Sequence, residues 1–573
     1  MNPKKEPGSS YLGTLGAPTL PQWLNGPMPQ GFPWGNRTAG GTNPYDDFPD
    51  TGVTRYYNWE ISNQTISPDG VPVSGIVVNG QFPGPTIEAN WGDWVEVTVT
   101  NNLPDEGTTL HWHGLLLKGM QWMDGVPSIE QCPIPPSQGS NTFTYRFQAE
   151  MYGTSWWHSH YSAQYAGGAA GPIVVHGPNH VNYDMDLGPV LMADWYHQPY
   201  EVLIEEVLRP NNSGIIPPSN NNLINGKNNY PCNQTTLSCT PNSGVSQFRF
   251  QSGKSMRLRL VNHGAEAGQK FSIDNHSFQV IANDFVPIVP YNTDNIVLGV
   301  GQRADIIVNG TGKPTDAVWM RALGCGTSDG ISSEALAAVY YENAGNTTIP
   351  ATSNPTGETC SPVALSAGSE TPYYPIAAGD PSTTISVNIA QHSNGTHLLW
   401  YMNNSSFRGD YNSPTLLEAK VGNLTFAPER NVYNTGSNSS VRMIWYNHVE
   451  GEPHPMHLHG HNIFVLATGF GEYDGHIDGD PSNPTRRDVA MLAGAQDANT
   501  PSYLVTQWNQ DNPGAWPFHC HIAWHISTGF LVQVLERPDD VLNLNIPSTF
   551  AQTCRDWAAW TNTHVPDEID SGL

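Results

Sequence analysis

The sequence predicts an all-β protein built from three β-sandwich domains in tandem. Its length of 573 residues is enough for three or four domains. Charged residues make up only 13% of the chain, which contains 56 Gly and 48 Pro, and this composition is typical of short strands joined by turns. The 18 Trp and 23 Tyr residues favour packed sheets and argue against disorder.

A strand-like segment that ends in asparagine occurs three times at domain-sized intervals. The copies are Val95–Asn101, Met256–Asn262 and Val441–Asn447, and the first two alternate apolar and polar residues as half-buried strands do. Three related sandwich domains are the simplest account of this repeat. Turn-rich stretches place the boundaries near residues 176 and 365, so the predicted domains are 1–176, 177–365 and 366–573.

Four His-x-His motifs lie where a strand or its end is expected. They are His111-Trp-His113, His158-Ser-His160, His457-Leu-His459 and His519-Cys-His521. Residues two apart on a strand point to the same face, so each pair can offer two imidazoles to one metal or to two adjacent ions. A single such pair is usually structural, whereas four in one chain indicate ligands. Two pairs belong to the first predicted domain and two to the third, so these domains should meet, with the middle domain as a spacer.

The last motif places Cys520 between two histidines, and His525 follows four residues after His521. On a strand the cysteine points away from its neighbours, so it can bind a different metal and join two sites through three consecutive residues. A structural zinc site is closed by four ligands, and more than twice that number of candidates is present. Imidazole together with one thiolate suits copper. The pattern predicts copper in more than one site.

The net charge of −27 limits the partners of the chain. A strongly acidic protein is a poor match for nucleic acids and for anionic membranes, so we expect neither as a partner. We find no apolar run in the sequence long enough to span a membrane. We expect a monomer that acts on small molecules.

Cysteines and glycosylation motifs favour a secreted, extracellular protein. Without Cys520, six cysteines remain, and six can pair in fifteen ways. Short separation along the sequence favours the pairs Cys232–Cys239 and Cys325–Cys360. The remaining two cysteines would then form the pair Cys132–Cys554. About a dozen Asn-x-Ser/Thr motifs also occur. The first twenty residues are polar and do not form a signal peptide, so we expect a mature form with an added Met.

The motifs together resemble those of the multicopper oxidases and, more narrowly, of the ascomycete laccases. The resemblance covers the chain from about Pro49 to Leu573. The extreme N-terminus does not match clearly and lacks a cysteine pair often found in that group. The signatures are His111-Trp-His-Gly114, Tyr152-Gly-Thr-Ser-Trp-Trp-His-Ser-His160, His454-Pro-Met-His-Leu-His-Gly-His461 and His519-Cys-His-Ile-Ala-Trp-His525.

The resemblance implies three cupredoxin-like Greek-key β-sandwich domains and four copper ions. It assigns the type 1 copper to His454, Cys520 and His525, and the type 2 copper to His111 and His457. The two type 3 ions would take His113, His158, His160, His459, His519 and His521. Phe530 occupies the axial position of the type 1 copper and cannot coordinate. We therefore expect a higher reduction potential for this copper than a methionine at the same position would give. The resemblance gives His461 no ligand role, and we expect it either to support neighbouring ligands or to be a packing residue.

The function implied by the resemblance is that of a laccase. Phenols or aromatic amines would lose single electrons beside His525, whose edge faces solvent in this family, and dioxygen would be reduced to water. Glu266 is the candidate base for phenols, with an ordinary loop acid as the alternative. Asp93 and Asp488 are candidate acids near the copper cluster, although Asp488 could instead pair with adjacent arginines. Leu573 is expected to enter the solvent channel of the cluster as a plug.

Other types of multicopper oxidase would use the same copper ligands. Bilirubin oxidases, ascorbate oxidases and ferroxidases would differ only outside the copper sites, and Phe530 together with the tail Asp570–Leu573 favours laccase. A copper-storage protein without turnover is the alternative from another class. The natural substrate is left open between lignin degradation, pigment formation and detoxification, because loops without a recognisable pattern form the pocket.

Overall fold

The computed structural model describes residues 33–136, 140–211, 217–325, 334–350, 368–566 and 569–573. Strands dominate these ranges and confirm the all-β prediction. The strands of the first third are β1 (Thr54–Ile66), β2 (Val73–Val78), β3 (Ile87–Asn90), β4 (Trp94–Asn101), β5 (Leu110–Trp112), β6 (Thr142–Gln148), β7 (Gly153–Ser159) and β8 (Ala170–His176). The middle third contains β9 (Met185–Trp195), β10 (Asn221–Ile224), β11 (Ser246–Arg249), β12 (Ser255–Asn262), β13 (Gly268–Ile273), β14 (Phe278–Asn283), β15 (Val286–Thr293), β16 (Asn295–Leu298), β17 (Arg303–Asn309), β18 (Ala317–Cys325) and β19 (Glu334–Tyr340).

The last third contains eleven further strands and most of the helices. Its strands are β20 (Thr383–Ser393), β21 (Leu398–Met402), β22 (Val432–Gly436), β23 (Ser440–Asn447), β24 (His454–Leu458), β25 (Ile463–Phe470), β26 (Thr485–Arg487), β27 (Val489–Leu492), β28 (Ser502–Asn509), β29 (Gly514–Cys520) and β30 (Leu531–Glu536). The α-helices are α1 (Tyr200–Val207), α2 (Thr415–Lys420), α3 (Ala523–Ser527), α4 (Pro538–Val541) and α5 (Ser548–Thr561). Short 3₁₀ turns span Gln121–Met123, Cys232–Gln234 and Pro428–Arg430.

Each third of the chain forms two sheets, as expected for three sandwich domains. The strand orders are β2-β1-β4-β6 with β3-β8-β7-β5, then β10-β9-β12-β17-β14-β15 with β11-β19-β18-β13-β16, and finally β21-β20-β23-β28-β25-β26 with β22-β30-β29-β24-β27. The predicted boundary at residue 176 coincides with the end of β8, and the one at residue 365 lies outside the described residues.

The repeated segment has the same structural role in all three domains. It forms β4, β12 and β23, each paired in parallel with one strand and antiparallel with another. The closing asparagine donates from Nδ2 to two backbone carbonyls and accepts the N–H two residues later, at Asn101, Asn262 and Asn447 alike. Because these buried backbone groups need partners, one asparagine fixes each strand end.

The first and third domains share a core, whereas the middle domain has its own. One continuous cluster of buried apolar residues extends from Trp59 in the first domain to Phe518 and Leu573 in the third. A separate cluster around Phe271 and Leu258 fills the middle domain. This packing brings the His-x-His motifs of the first and third domains together. Within the described part of the chain, no helix is both long and apolar enough to cross a membrane.

Two of the three predicted disulfides are present. Cys132 pairs with Cys554 and Cys232 pairs with Cys239, while Cys520 is free and buried. Cys325 is disulfide-bonded, and its predicted partner Cys360 lies outside the described residues. The long-range pair joins the first domain to helix α5 near the end of the chain.

Removing the long-range disulfide should destabilise the protein more than removing the short one. Cys132 and Cys554 are separated by 422 positions, and Cys232 and Cys239 by 7. Loop-closure entropy predicts a loss of about 6 kcal/mol for the double serine variant of the first pair and about 2 kcal/mol for that of the second. Calorimetric unfolding temperatures of the two variants test this difference. Equal shifts would contradict it.

Candidate metal centre

Within each domain, paired strands place a histidine of one motif opposite a histidine of the other motif. His111 on β5 lies opposite His158 on β7, and His457 on β24 lies opposite His519 on β29. The other four follow directly after the strand ends, at His113, His160, His459 and His521. All eight side chains are at most 4% exposed. Side chains directly opposite on antiparallel strands are close neighbours, so each domain contributes four imidazoles to one buried space.

The eight imidazoles from the two domains converge on one another. The ligand nitrogens of His160, His459 and His519 all lie within 4.8 Å of one another, and Nε2 of His459 is 3.1 Å from Nε2 of His519. On the other side of the cluster, Nδ1 of His113 is 3.2 Å from Nε2 of His521. The rings of His111 and His457 lie 6.0 Å apart, centroid to centroid. Residues of domains one and three thus face each other in each group.

Unpaired nitrogens show that the cluster fits metal ions. Among the described residues, the buried Nε2 atoms of His111, His158, His160 and His457 have no hydrogen-bond partner. On three of these rings Nδ1 donates to a backbone carbonyl, which orients the ring and leaves the Nε2 lone pair facing inward. Burial, reinforced by neighbouring imidazoles, lowers the pKa of His158 and His160 well below the usual range. These rings are therefore neutral, the form that binds metals.

Cys520 faces away from this cluster toward a second group of ligands. Its Sγ lies 3.5 Å from Nδ1 of His454 and 3.4 Å from Nδ1 of His525. These two nitrogens are 3.1 Å apart, and the three side chains are buried. Burial raises the pKa of the Cys520 thiol, so a thiolate there needs a cation in contact. One sulfur and two imidazoles are the donor set that suits copper.

Apolar rings close the second group. The Phe530 ring lies 4.7 Å from the His454 ring, and the Trp400 ring lies 4.9 Å from the rings of both His454 and His525. Phe530 is fully buried, and its backbone carbonyl accepts the N–H of Cys520. Neither ring supplies a sulfur or oxygen atom. The rings therefore add no ligand to the set of His454, Cys520 and His525.

Comparison with known proteins agrees with this geometry. Family models described as multicopper oxidase match residues 60–180, 186–344 and 391–540, one in each third of the chain. The chain belongs to the multicopper oxidase family. Copper is therefore its expected cofactor, and the chain is an oxidoreductase.

Relatives extend the likeness over nearly the whole chain. Oxidoreductase OpS5 of Beauveria bassiana is 40% identical over 93% of this chain and 90% of its own length. Laccase-2 of Botryotinia fuckeliana is 38% identical over 94% of this chain and 92% of its own length. The crystal structure of the Botrytis aclada laccase is 36% identical and superposes with a TM-score of 0.82, covering 94% of this chain and all of that one. The enzyme is thus a multicopper oxidase of the fungal laccase type.

In this multicopper oxidase, Asp488 contacts candidate ligand residues from the first and third domains. His113 Nε2 donates to its Oδ1 at 3.1 Å, and His457 Nδ1 donates to its backbone carbonyl at 2.9 Å. Arg303 forms a two-pronged ion pair with the carboxylate at 2.5 and 2.6 Å. Burial raises the pKa of Asp488 to about 6, with Arg303 opposing the increase. The cation is Arg303 of the middle domain, not the adjacent Arg486 or Arg487.

Asp93 lies among other partners. Its carboxylate accepts hydrogen bonds from Thr51, Arg55 and the backbone amide of Asn90, none of which is a candidate ligand. Its predicted role as a proton source therefore rests on the motif alone. Besides Asp488, the carboxylate of Asp124 contacts the cluster, since it accepts from Nδ1 of His459 at 2.7 Å.

Asp124 was missed by the sequence reasoning. One of its oxygens also lies 3.2 Å from Nδ1 of His111, and its backbone carbonyl accepts from the same nitrogen at 2.9 Å. Burial raises the pKa of this carboxyl group. The only signal in the sequence is an acid eleven residues after the His111-Trp-His113 motif, which by itself is not a pattern.

The middle domain does more than separate its neighbours. The turn between β16 and β17 reaches the cluster, and a Cβ atom at Gly301 would lie 2.9 Å from Cδ2 of His521 and 3.1 Å from Cε1 of His113. Gln302 donates to the backbone carbonyl of Val489 in the third domain, and Arg303 donates to that of Thr154 in the first. The predicted spacer therefore forms one wall of the histidine cluster.

Glu266 lies beside the helix that carries His525. The amide of Ala523 donates to the carbonyl of Ala265, which fixes the Glu266 loop against α3. The Glu266 carboxylate accepts from the Tyr196 hydroxyl at 3.3 Å and is partly exposed. His525 itself is only 3% exposed, so its edge is covered here, whereas the family resemblance implies a solvent-facing edge.

The last residues of the chain are firmly held. Leu573 is 1% exposed and lines a small cavity together with His158, His160, His519 and His521. The hydroxyl of Tyr411 donates to the backbone carbonyl of Gly572, and the backbone amide of Ser571 donates to the backbone carbonyl of Ser527. His461, which has no predicted ligand role, is buried, and its Nε2 lies 3.0 Å from a carboxylate oxygen of Glu536.

Proposed function

We propose that this multicopper oxidase is a laccase that oxidises phenols and aromatic amines one electron at a time and reduces dioxygen to water. The observation that carries the proposal is the placement of Cys520. Its sulfur joins His454 and His525, while the imidazoles of His519 and His521 point into the histidine cluster. Two sites are thereby linked through three consecutive residues, as coupling of a one-electron donor to a four-electron acceptor requires.

Four copper ions are proposed, held by the ligands that the motifs assign. The type 1 ion would be held by His454, Cys520 and His525, and the type 2 ion by His111 and His457. The type 3 ions would be held by His113, His158 and His521 on one side and by His160, His459 and His519 on the other. Copper at these residues would supply one-electron acceptance at the type 1 site and four-electron delivery to dioxygen at the cluster.

The protein's own groups hold ligands and protons in place. Asp124 and Asp488 accept hydrogen bonds from rings of both domains and so fix which nitrogen of each ring faces inward. Both are buried carboxyl groups with a raised pKa, which favours proton storage beside a reaction that consumes protons. Glu266, in the loop against α3, remains the candidate base for phenolic donors.

Oxygen uptake with two contrasting donors tests the proposed function. The copper-loaded protein is given 2,6-dimethoxyphenol or ferrous iron at equal concentration, and dioxygen consumption is recorded. Laccase chemistry predicts strong uptake with the phenol and little with iron. The reverse result would make this a metal oxidase, and no uptake with either would favour a copper-binding protein without turnover.

We also propose a secreted, extracellular monomer. Two disulfides within the described residues and the many glycosylation motifs support export to an oxidising compartment. The proposed partners are small aromatic molecules and dioxygen, with neither nucleic acid nor membrane.

Phe530 should keep the potential of the type 1 site high. In a Phe530→Met variant the thioether can approach the metal, and we expect the reduction potential to fall. Phe530→Leu is the matched control, because leucine is apolar and leaves three ligands. A redox titration followed at the visible absorption band compares the variants. Equal potentials for the Met and Leu variants would contradict an axial position for residue 530.

The C-terminal tail should control access to the cluster. Deleting Asp570–Leu573 uncovers the cavity shared with His158 and His519, so we expect an altered KM for dioxygen. In the absence of oxygen, the phenol should reduce the type 1 site of the deletion variant at the wild-type rate. The reason is that Leu573 lines the cavity beside the histidine cluster and not the type 1 site. Val565→Ser, at a fully solvated position near the tail, is the control. Unchanged oxygen kinetics after the deletion would rule out the plug.

A further inference from the structure

A single asparagine side chain bonds to both the first and the third domain. Asn512 lies in the loop between β28 and β29 and is buried. Its Nδ2 donates to the backbone carbonyl of Leu116 in the first domain at 2.7 Å and to that of Gly460 in the third at 3.0 Å. Its Oδ1 accepts from Nε2 of Gln121, also in the first domain, at 3.1 Å. One amide group thus holds partners on both sides of the interface.

The two loops that Asn512 joins carry candidate copper ligands. Leu116 lies three residues after His113, and Gly460 lies directly after His459. Leu116 and Gly460 are buried, so their carbonyls need hydrogen-bond partners within the protein. The two N–H bonds of a side-chain amide lie in one plane at a fixed angle. The distance between the two ligand loops is therefore fixed by one rigid group.

Buried residues of the third domain hold Asn512 in place. Its backbone amide donates to Oε1 of Glu536 at 2.8 Å, and its backbone carbonyl accepts from Nε1 of Trp516 at 2.9 Å. Trp516 also packs against the Gly460 turn, where a Cβ atom would lie 2.8 Å from the indole ring. Glu536 and Trp516 are both fully buried. The amide that reaches the first domain therefore starts from a rigid base.

His461 belongs to the same unit, although it has no predicted ligand role. Its Nδ1 donates to the backbone carbonyl of His459 at 2.9 Å, and its Nε2 lies 3.0 Å from Oε2 of Glu536. The other oxygen of this carboxylate accepts from the backbone amide of Asn512. A continuous series of contacts therefore joins the candidate ligand His459 to the side chain that reaches the first domain.

We propose that Asn512 is a positioning residue that sets the spacing between the four histidines of the first domain and the four of the third. Each proposed type 3 ion takes ligands from both domains, namely His113, His158 and His521 for one ion and His160, His459 and His519 for the other. The spacing of the domains therefore fixes the distance between the two ions. The proposed type 1 ligands all belong to the third domain, so Asn512 does not position them. The inference rests on the proposed function, because it names how the site that reduces dioxygen is held together.

Asn512→Leu and a matched variant test the positioning role. Leucine has the same branched shape as asparagine but no hydrogen-bonding group, so all three side-chain hydrogen bonds are lost. Asn101→Leu is the control, because Asn101 is equally buried and also donates to two backbone carbonyls and accepts one hydrogen bond, but within the first domain alone. Gln121→Leu is a milder variant that removes only the first domain's donor to Oδ1 of Asn512. Each holoenzyme is studied by electron paramagnetic resonance and by stopped-flow kinetics.

The positioning role predicts a loss confined to the histidine cluster. For Asn512→Leu we expect dioxygen to reoxidise the fully reduced enzyme about tenfold more slowly, the lower end of the usual effect of losing a group that orients ligands. The share of copper with a resonance signal should rise above one half, because the type 3 ions leave their coupling distance. Anaerobic reduction of the type 1 site by 2,6-dimethoxyphenol should keep the wild-type rate.

The two other variants decide whether these changes come from the interface. Gln121→Leu should shift the resonance and the reoxidation rate in the same direction by a smaller amount, and Asn101→Leu should leave both at the wild-type values. Equal changes in Asn512→Leu and Asn101→Leu would overturn the inference. So would an unchanged resonance signal in both Asn512→Leu and Gln121→Leu.

Hydrogen exchange separates this inference from the proposed function. Mass spectrometry of peptides from the loops at residues 113–121 and 457–461 reports how firmly the loops are held, without turnover. We expect both loops to exchange about tenfold faster in Asn512→Leu than in the wild type and in Asn101→Leu, the scale of one hydrogen bond. If the wild type consumes no dioxygen but the loops show this difference, the function fails and the positioning role stands. If the wild type turns over and the loops exchange alike in all three proteins, only the positioning role fails.

Discussion

A Cys520→Ser variant is expected to lose oxygen consumption with phenols by about a thousandfold or more, or about 4 kcal/mol in activation free energy. The hydroxyl of serine is a weak donor for copper, so the group of His454, Cys520 and His525 loses its only thiolate. The side chain of residue 520, which connects this group covalently to His519 and His521, then no longer binds a metal. The variant should also lose the intense visible absorption of a copper–thiolate bond.

Copper content is the control for this variant. Because Cys520 points away from the histidine cluster, the cluster copper should remain, and mass spectrometry should find about one ion fewer per chain than in the wild type. Loss of all copper would mean that the serine disturbs the fold rather than one site. Undiminished oxygen consumption would remove Cys520 from the electron path.

Gly301→Ala is expected to weaken copper binding at the histidine cluster by about 10- to 100-fold, the effect usual for displaced ligands. The new methyl group would lie 2.9 Å from His521 and 3.1 Å from His113, well inside normal carbon contacts of about 3.5–4.0 Å. Both histidines follow directly after the ends of paired β-strands, at Trp112 and Cys520, so neither ring can move far without leaving its ligand position. Oxygen reduction should fall about a hundredfold with the shifted geometry.

Gly253→Ala separates this contact from backbone strain. Gly253 is in the same domain with φ +73°, close to the +83° of Gly301, but a Cβ atom there meets nothing within 4 Å. Both variants therefore carry a similar conformational cost of about 1 kcal/mol. Electron paramagnetic resonance and copper content should change only in Gly301→Ala, with the type 1 signal retained. Equal effects in both variants would mean that the turn does not support the cluster.

The sequence predicted the elements that depend on local pattern. Period-2 alternation and the repeated asparagine predicted three sandwich domains, because the same residue meets the same hydrogen-bonding need at each strand end. The His-x-His motifs predicted shared faces, because alternate residues on a strand point the same way. The opposite orientation of Cys520 follows from the same rule. These features require no knowledge of which strands pair.

What the sequence did not predict depends on contacts between domains. Asp124, Gly301 and Arg303 reach the cluster only because the three domains pack around it, and none of them belongs to a recognisable motif. The two arginines adjacent to Asp488 suggested an ion pair there, yet the Asp488 carboxylate pairs with Arg303 from the middle domain. Side-chain partners across an interface depend on tertiary packing, which a single sequence does not reveal.

The most direct test of the account is the copper content and resonance spectrum of the purified holoenzyme. We predict four copper ions per chain, of which about half give an electron paramagnetic resonance signal, because the two type 3 ions are coupled in a pair. The signal should contain one component with the narrow splitting of a copper–thiolate site and one ordinary component. A single copper ion per chain, or zinc in place of copper, would contradict the assignment of the eleven ligands and the function built on it.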